Sequence, residues 1–199
     1  MSLKQKAVNG VKWTGFSTLI NLVLQFTQYA VLGRILDASA FGVMALVTVV
    51  ITFAEMFMEM GISNSIIQRK NISEKELSSL YWLNIFLGII IAFIVWWTAG
   101  IISNSIFNHP NLEYYIKVIS INFLIIPFGQ QYKAIMQKNL NFNLISKIDI
   151  LSYFIGVFTT IILAYLGYGI MSVILGLLIN SFLKASLFIK FGRKIYRPR

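Results

Sequence analysis

Residues 85–102 read IFLGIIIAFIVWWTAGII, eighteen positions without a charge. A helix rises about 1.5 Å per residue, so about 20 apolar residues cross a hydrocarbon core about 30 Å thick. Extended to 80–102, this stretch is long enough to do so, and it decides the fold class. The composition agrees. The chain has 199 residues, of which 57% are hydrophobic and 12% charged, with a mean hydropathy of +0.75. A soluble domain carries about 25% charged residues. An all-α integral membrane protein is therefore expected.

Working outward from 80–102, five further runs have the same character: 13–32, 41–62, 114–132, 148–166 and 170–191. The run at 114–132 is the weakest, because Pro127 and Gly129 interrupt it. Six spans form one unit over 1–199. Lys and Arg fix the expected direction. Fifteen of the 17 lie before the first span, in the 63–79 and 133–147 connections, or at the C-terminal end. Arg34 and Lys117 alone lie on the other side. The positive-inside rule then places both termini in the cytoplasm. The net charge of +10 does not imply nucleic acid, because its charges fall in alternate connections rather than on one patch. Ala38-Ser39-Ala40 has the form of a signal-peptidase site. The apolar run before it is longer than a signal h-region and contains Asn21, Gln25 and Gln28, so it reads as a retained span.

Polar residues recur at steps of three and four in several spans. Span one carries Thr14, Thr18, Asn21, Gln25 and Gln28. Span two carries Thr48, Thr52, Glu55, Glu59 and Ser63. Span six carries Ser172, Gly176, Asn180 and Lys184. Each set shares one helix face, and such faces avoid lipid. Packing between helices accounts for the Ser, Thr and Gly positions. For the three amides of span one, packing and a water-filled cavity both remain open.

The stretch TFAEMFMEMGISNSIIQRK, 52–70, holds two carboxylates four residues apart. Counting from Phe41, Glu55 lies about 21 Å and Glu59 about 27 Å along the span, toward the cytoplasmic mouth. Glu59 reads as an interfacial residue within reach of Lys133 or Lys138. Glu55 reads as a cavity residue, with a proton-coupled role open. Arg34 and Asp37 flank a short outer loop, either as a local ion pair or with Arg34 at a cavity rim meeting phosphate. His109 reads as a solvated turn residue and Asp149 as an interfacial anchor. Residues 69–80 read as a short cytoplasmic helix, with Ser73 and Glu76 forming a capping box. GYG, 167–169, reads as a tight outer turn.

Chemistry is excluded more readily than assigned. There is no cysteine and one histidine, so disulfides, thiolate nucleophiles and Cys/His zinc sites are out of reach. No glycine-rich phosphate loop and no His–carboxylate cluster occurs. Neither an enzyme nor a cofactor or metal is expected.

Four motifs occur in order: GRILDASAFGVMAL (33–46), FMEMGISNSIIQRKNISEKELSSLYWLNIFLGI (57–89), PFGQQYKAIMQKNLNFNLISKIDILS (127–152) and GYGIMSVILG (167–176). In this order and spacing the chain resembles the polysaccharide exporters of the multidrug/oligosaccharidyl-lipid/polysaccharide flippase superfamily, the Wzx-like and teichuronic-acid-exporter group. The resemblance implies a flippase of the bacterial plasma membrane that moves undecaprenyl-diphosphate-linked oligosaccharide outward. It implies two pseudo-symmetric six-helix lobes around a V-shaped cavity that alternates its opening. Ion coupling occurs in parts of the superfamily, so a coupling ion is a candidate partner. Six spans are half of that fold, so the chain reads as an N-terminal lobe. The second lobe would come in cis from a longer protein or, as the lesser alternative, from a homodimer. Candidate cavity residues are Asn21, Gln25, Gln28, Arg34, Glu55 and Glu59. The competing readings are a multidrug or small-metabolite exporter of the same superfamily, a membrane-embedded transferase, and a truncated membrane protein that transports nothing.

Overall fold

The computed structural model describes residues 3–59, 66 and 72–194. Among the described residues seven α-helices have defined bounds: α1 (Leu3–Ile35), α2 (Ala38–Glu59), α3 (Glu74–Ile101), α4 (Leu112–Ile119), α5 (Ile121–Lys138), α6 (Phe142–Tyr165) and α7 (Ile170–Gly192). There is no strand among the described residues. Among the described residues five helical stretches are long and apolar enough to cross a membrane: α2, α3 with its extension to Ile106, α4 and α5 together, α6 and α7. The first expected span, 13–32, lies inside α1. At 33 residues α1 is ample in length, but Asn21, Gln25 and Gln28 dilute its apolar character.

Packing explains the exposure pattern. α6 lies along α7 and α1, α5 packs on α7 and α3, and α2 rests more sparsely on α3, α4 and α7. Two apolar clusters hold the bundle. One joins α2, α3, α4, α5 and α7 around Val47, Ala99, Ile116 and Phe123. The other joins α3, α5, α6 and α7 around Tyr81, Tyr132, Met136 and Phe188. Large apolar side chains also remain on the outside, among them Phe26, Phe53, Phe86, Phe93, Phe154 and Phe182. In water this surface would be an aggregation liability; in a bilayer it is the lipid-facing surface.

Small residues set the closest approaches, as expected where lipid offers no hydrophobic drive between helices. A Cβ on Gly176 would strike the Thr160 side chain and lie 2.7 Å from the Gly156 carbonyl oxygen. A Cβ on Gly129 would lie 2.7 Å from Ala185 Cα. Gly88 makes room for Pro127, the proline inside α5. That proline removes a backbone donor, and the Asn84 side-chain amide donates to the Pro127 carbonyl at 3.4 Å. Nearby, Gln131 Nε2 donates to the Leu77 carbonyl at 2.7 Å.

The fourth expected span, 114–132, is two helices with a break at Ser120, whose hydroxyl donates to the Lys117 carbonyl at 2.7 Å. The expected short helix over 69–80 is not separate. The capping box at Ser73 and Glu76 is present, but it opens α3, which continues to Ile101; residues 69–71 lie outside the described residues. The cap amide of Glu76 donates to Ser73 Oγ at 3.2 Å. Ser73→Ala is expected to cost about 1 kcal/mol, read as faster amide hydrogen exchange in the first turn of α3 and no change beyond Tyr81. At the far end α3 closes with a π-turn over Ile102–Ile106. Ser103 then ties the following loop, donating to the His109 carbonyl at 2.7 Å and accepting from the Glu113 amide at 3.1 Å. The GYG turn is confirmed by positive φ at Gly167 (84°) and Gly169 (55°).

The ends of the bundle differ. Gly10 on α1 faces Phe142 on α6, Tyr132 on α5 touches Gly192 on α7, and Tyr132 meets the Tyr81 ring of α3 at 5.9 Å. These ends therefore lie together, and they carry Lys12, Lys75, Lys138, Lys147, Lys190, Arg193 and Lys194. The opposite end carries Arg34 and Lys117, the latter 2.6 Å from Glu113 and over the Trp96 ring at 5.3 Å. Trp13 and Trp82 sit toward the first end and Trp96 and Trp97 toward the second, the placement of aromatic belts at two membrane interfaces.

Candidate functional site

Three polar stripes converge on one groove. α1 contributes Gln25 and Gln28, α2 contributes Thr48, Thr52 and Glu55, and α7 contributes Asn180 and Lys184, with α5 and α6 behind them. The periodicity of each stripe explains this. On each helix the apolar faces meet lipid or the two cores, and the polar face turns to the space that remains.

The groove has two chambers. The one toward the Arg34 end of the bundle, termed outer for that position alone, is about 250 Å³, lies between α1, α2, α6 and α7 and is lined by Gln25, Gln28, Tyr29, Thr48, Tyr153, Thr160 and Asn180. The inner one, about 500 Å³, lies between α2, α5 and α7 and is lined by Thr52, Glu55, Asn122, Gln130, Lys133, Asn180 and Lys184. Thr48, Ile51, Leu177 and Asn180 line both, so the chambers are continuous. Asn180 is positioned by small neighbours. Gly156 on α6 allows α7 so close that a Cβ on Gly156 would lie 2.8 Å from Asn180 Cβ.

The polar groups here are not used up by one another. Gln28 is buried, and Gln25 Nε2 donates to the Tyr29 hydroxyl at 3.3 Å. The side-chain oxygen of Asn180 and both polar atoms of Asn122 are buried without a hydrogen-bond partner. A buried, unmatched polar group costs about 1–3 kcal/mol, so such groups tend to gather where water or a ligand completes them.

The inner chamber holds most of the charge. Asp149 on α6 faces Lys133 of α5 and Lys184 of α7, each ammonium 3.4 Å from one carboxylate oxygen. Lys133 also lies 5.8 Å from the Phe188 ring centroid.

Of the six candidate residues, Gln25, Gln28 and Glu55 line the groove. Asn21 is on the same face of α1 with a buried carbonyl oxygen, but it lines neither chamber. Arg34 is exposed at the end of α1 and lines neither. Among the described residues no ion pair joins it to Asp37. The Glu59 side chain lies outside the described residues, as does Ser63. Lys133, one of the partners expected for Glu59, lies 3.4 Å from Asp149. Asp149, expected as an interfacial anchor, stands seven residues inside α6, which begins at Phe142, and faces Lys133 and Lys184. The sequence placed Lys184 on the polar stripe of span six and Lys133 within reach of Glu59, but gave no sign that the two meet at Asp149. His109 is half-buried, with Nδ1 covered and unpartnered, rather than solvated. Among the described residues no group of three His, Cys, Asp or Glu could hold a metal.

Fold and groove define a class first: a multi-pass helical membrane protein whose bundle encloses a polar cavity. The family follows from comparison. Residues 31–199 match the family model described as polysaccharide biosynthesis protein, and the chain belongs to that family. It is 43% identical over 198 residues to the lipopolysaccharide biosynthesis protein WzxC of Escherichia coli (strain K12), covering all of this chain and 40% of that protein. It is 39% identical over 198 residues to a membrane protein in the cps region of Klebsiella pneumoniae, covering all of this chain and 41% of the other. Its identity to the teichuronic acid biosynthesis protein TuaB of Bacillus subtilis (strain 168) is 31% over 197 residues, 99% of this chain and 41% of the relative. The chain thus spans about two fifths of the length of these curated relatives. No solved structure matches. With its apolar helices and these relatives, the chain is a multi-pass protein of the bacterial inner membrane.

Proposed function

We infer that this chain forms the first lobe of a flippase that carries undecaprenyl-diphosphate-linked oligosaccharide from the cytoplasmic to the outer leaflet for polysaccharide export. One observation carries the reading: a continuous polar groove, amide-lined in its outer chamber and lysine-bearing in its inner one, inside a bundle whose outer surface is apolar. Amide and hydroxyl side chains match the donors and acceptors of sugar hydroxyls. Lysines match a diphosphate. The polyprenyl chain has no need of the groove, since it stays in the bilayer. Names of relatives in lipopolysaccharide and teichuronic acid biosynthesis point the same way.

The work is transport, not bond chemistry. Binding has to favour the glycan without trapping it, and a second lobe supplies the facing wall, in cis or from a second copy. The cation-rich end of the bundle faces the cytoplasm, which puts both ends of the chain inside. The inner chamber, with Glu55, is then where substrate enters and where a coupling ion or proton would act.

The test uses full-length protein in liposomes carrying a fluorescent undecaprenyl-diphosphate oligosaccharide in one leaflet. Movement to the other leaflet well above that of protein-free liposomes is expected. No movement of that lipid, together with export of cationic dyes, would transfer the chain to the drug-exporter reading.

A further inference from the structure

Lys133, Asp149 and Lys184 come from three different helices and meet at the wall of the inner chamber. Asp149 stands about 10 Å inward from the start of α6, and Lys184 about 12 Å inward from the end of α7. Charges within membrane-crossing helices are costly unless they are paired or meet water.

The pairing is loose. Each ammonium is 3.4 Å from Asp149, whereas Lys117 and Glu113 are 2.6 Å apart. A charge-assisted N–H···O bond runs about 2.7–2.9 Å. Asp149 Oδ1, the oxygen facing Lys184, accepts no hydrogen bond. The carboxylate is 18% exposed, against 37% and 32% for the Lys133 and Lys184 side chains. One carboxylate is thus shared between two cations and sits deeper than both, while Glu55 lines the same chamber. The lysines keep an accessible side toward the chamber. A diphosphate could engage both at once; Asp149 engages each at long range.

We propose that Asp149 is an internal counter-ion that holds Lys133 and Lys184 while the chamber is empty and yields them to the diphosphate of an incoming ligand. It is a positioning residue. It weakens anion binding, and in doing so it lets the anion leave, since a carrier needs a site that binds and also releases. For the identity of the ligand, and only for that, this rests on the transport reading above.

The test measures binding by full-length protein in detergent, with farnesyl diphosphate and inorganic pyrophosphate as separate probes. Asp149→Asn is expected to bind farnesyl diphosphate about tenfold more tightly than wild type, because a competing anion has been removed. Asp149→Glu, which keeps the charge, is expected to stay within about twofold of wild type. A purely structural Asp149 predicts the reverse, a lower melting temperature and weaker binding together. A gain for both probes identifies the phosphates as what is read. A gain for pyrophosphate alone supports the counter-ion and assigns the site to a soluble anion. Unchanged or weaker binding in a folded Asp149→Asn protein overturns the proposal, as does failure of both proteins to bind either probe. If Asp149→Asn does not fold, Asp149→Asn/Lys184→Gln restores the charge balance and asks the same question. It must bind at least as tightly as Lys184→Gln alone, and weaker binding overturns the proposal. Liposome translocation by wild type separates the two readings: lipid movement without a gain in Asp149→Asn removes the counter-ion and leaves the flippase standing.

Discussion

Gly176→Leu is expected to abolish the folded protein. Gly176 lies where α7 touches α6, and its Cβ would strike Thr160 while pressing on the Gly156 carbonyl oxygen at 2.7 Å. The obstacle is partly backbone, which cannot rotate away as a flexible side chain can. Overpacking in a core costs about 1–3 kcal/mol where side chains can adjust. Here α6 and α7 must separate, and that contact is the most extensive in the bundle. A loss above about 3 kcal/mol is expected, seen as disappearance of the monodisperse peak in detergent. Gly42→Leu is the control. It stands on α2 with nothing within 4 Å of an added Cβ, and replacing a helical glycine by leucine favours the helix. Its melting temperature should not fall. Equal behaviour of the two variants would mean that α6 and α7 do not pack through Gly176.

The second large effect concerns charge. Lys133→Met/Lys184→Met is expected to reduce transport at least about a hundredfold, since two charged contacts to a diphosphate are removed and each is worth about 1.5–3 kcal/mol. That double variant also leaves Asp149 without its two cations, at a cost of about 2 kcal/mol. This is below the cost of breaking a fully buried pair, because the lysines are about one third exposed. The triple variant Lys133→Met/Asp149→Asn/Lys184→Met removes the stranded charge. It should recover most of the stability and none of the transport. Recovery of transport in the triple variant would show that the lysines matter only as partners of Asp149.

Much of this fold could be read from hydropathy. The spans over 80–102 and 170–191 coincide with long helices, because an uninterrupted apolar run has few other stable states in a membrane. The interruption at Pro127 and Gly129 was also visible, but its consequence was not. α5 keeps its helix there because Gly88 and Asn84 of α3 accommodate the proline, and the break comes earlier, at Ser120. The capping box at Ser73 was legible as a cap. That it opens the span itself was not, since a local motif carries no information on how far its helix continues.

The groove was legible as stripes on separate helices. Gln25, Gln28 and Glu55 were found because steps of three and four put them on polar faces. Lys184 was read on its own stripe, but its meeting with Lys133 and Asp149 was not, because three helices bring them together. Position along the chain placed each near a membrane boundary, and boundary charges usually stay solvated. Only the packing of α5, α6 and α7 turns them into one cluster. Arg34 differs for the complementary reason: its chemistry suits phosphate, but its place at the end of α1 puts it on the lining of neither chamber.

The account turns on the groove being a wet passage and not merely a packed polar seam. The chain contains no cysteine, so single cysteines can report on it in full-length protein freed of any others. Asn180→Cys and Gln25→Cys should react with a membrane-impermeant, charged methanethiosulfonate, and a lipid-diphosphate oligosaccharide should protect both. Ser152→Cys, at a fully buried position on α6, should stay inert. Labelling of the two groove positions with protection by that lipid is the predicted result. Groove cysteines as inert as the one at position 152 would contradict the account.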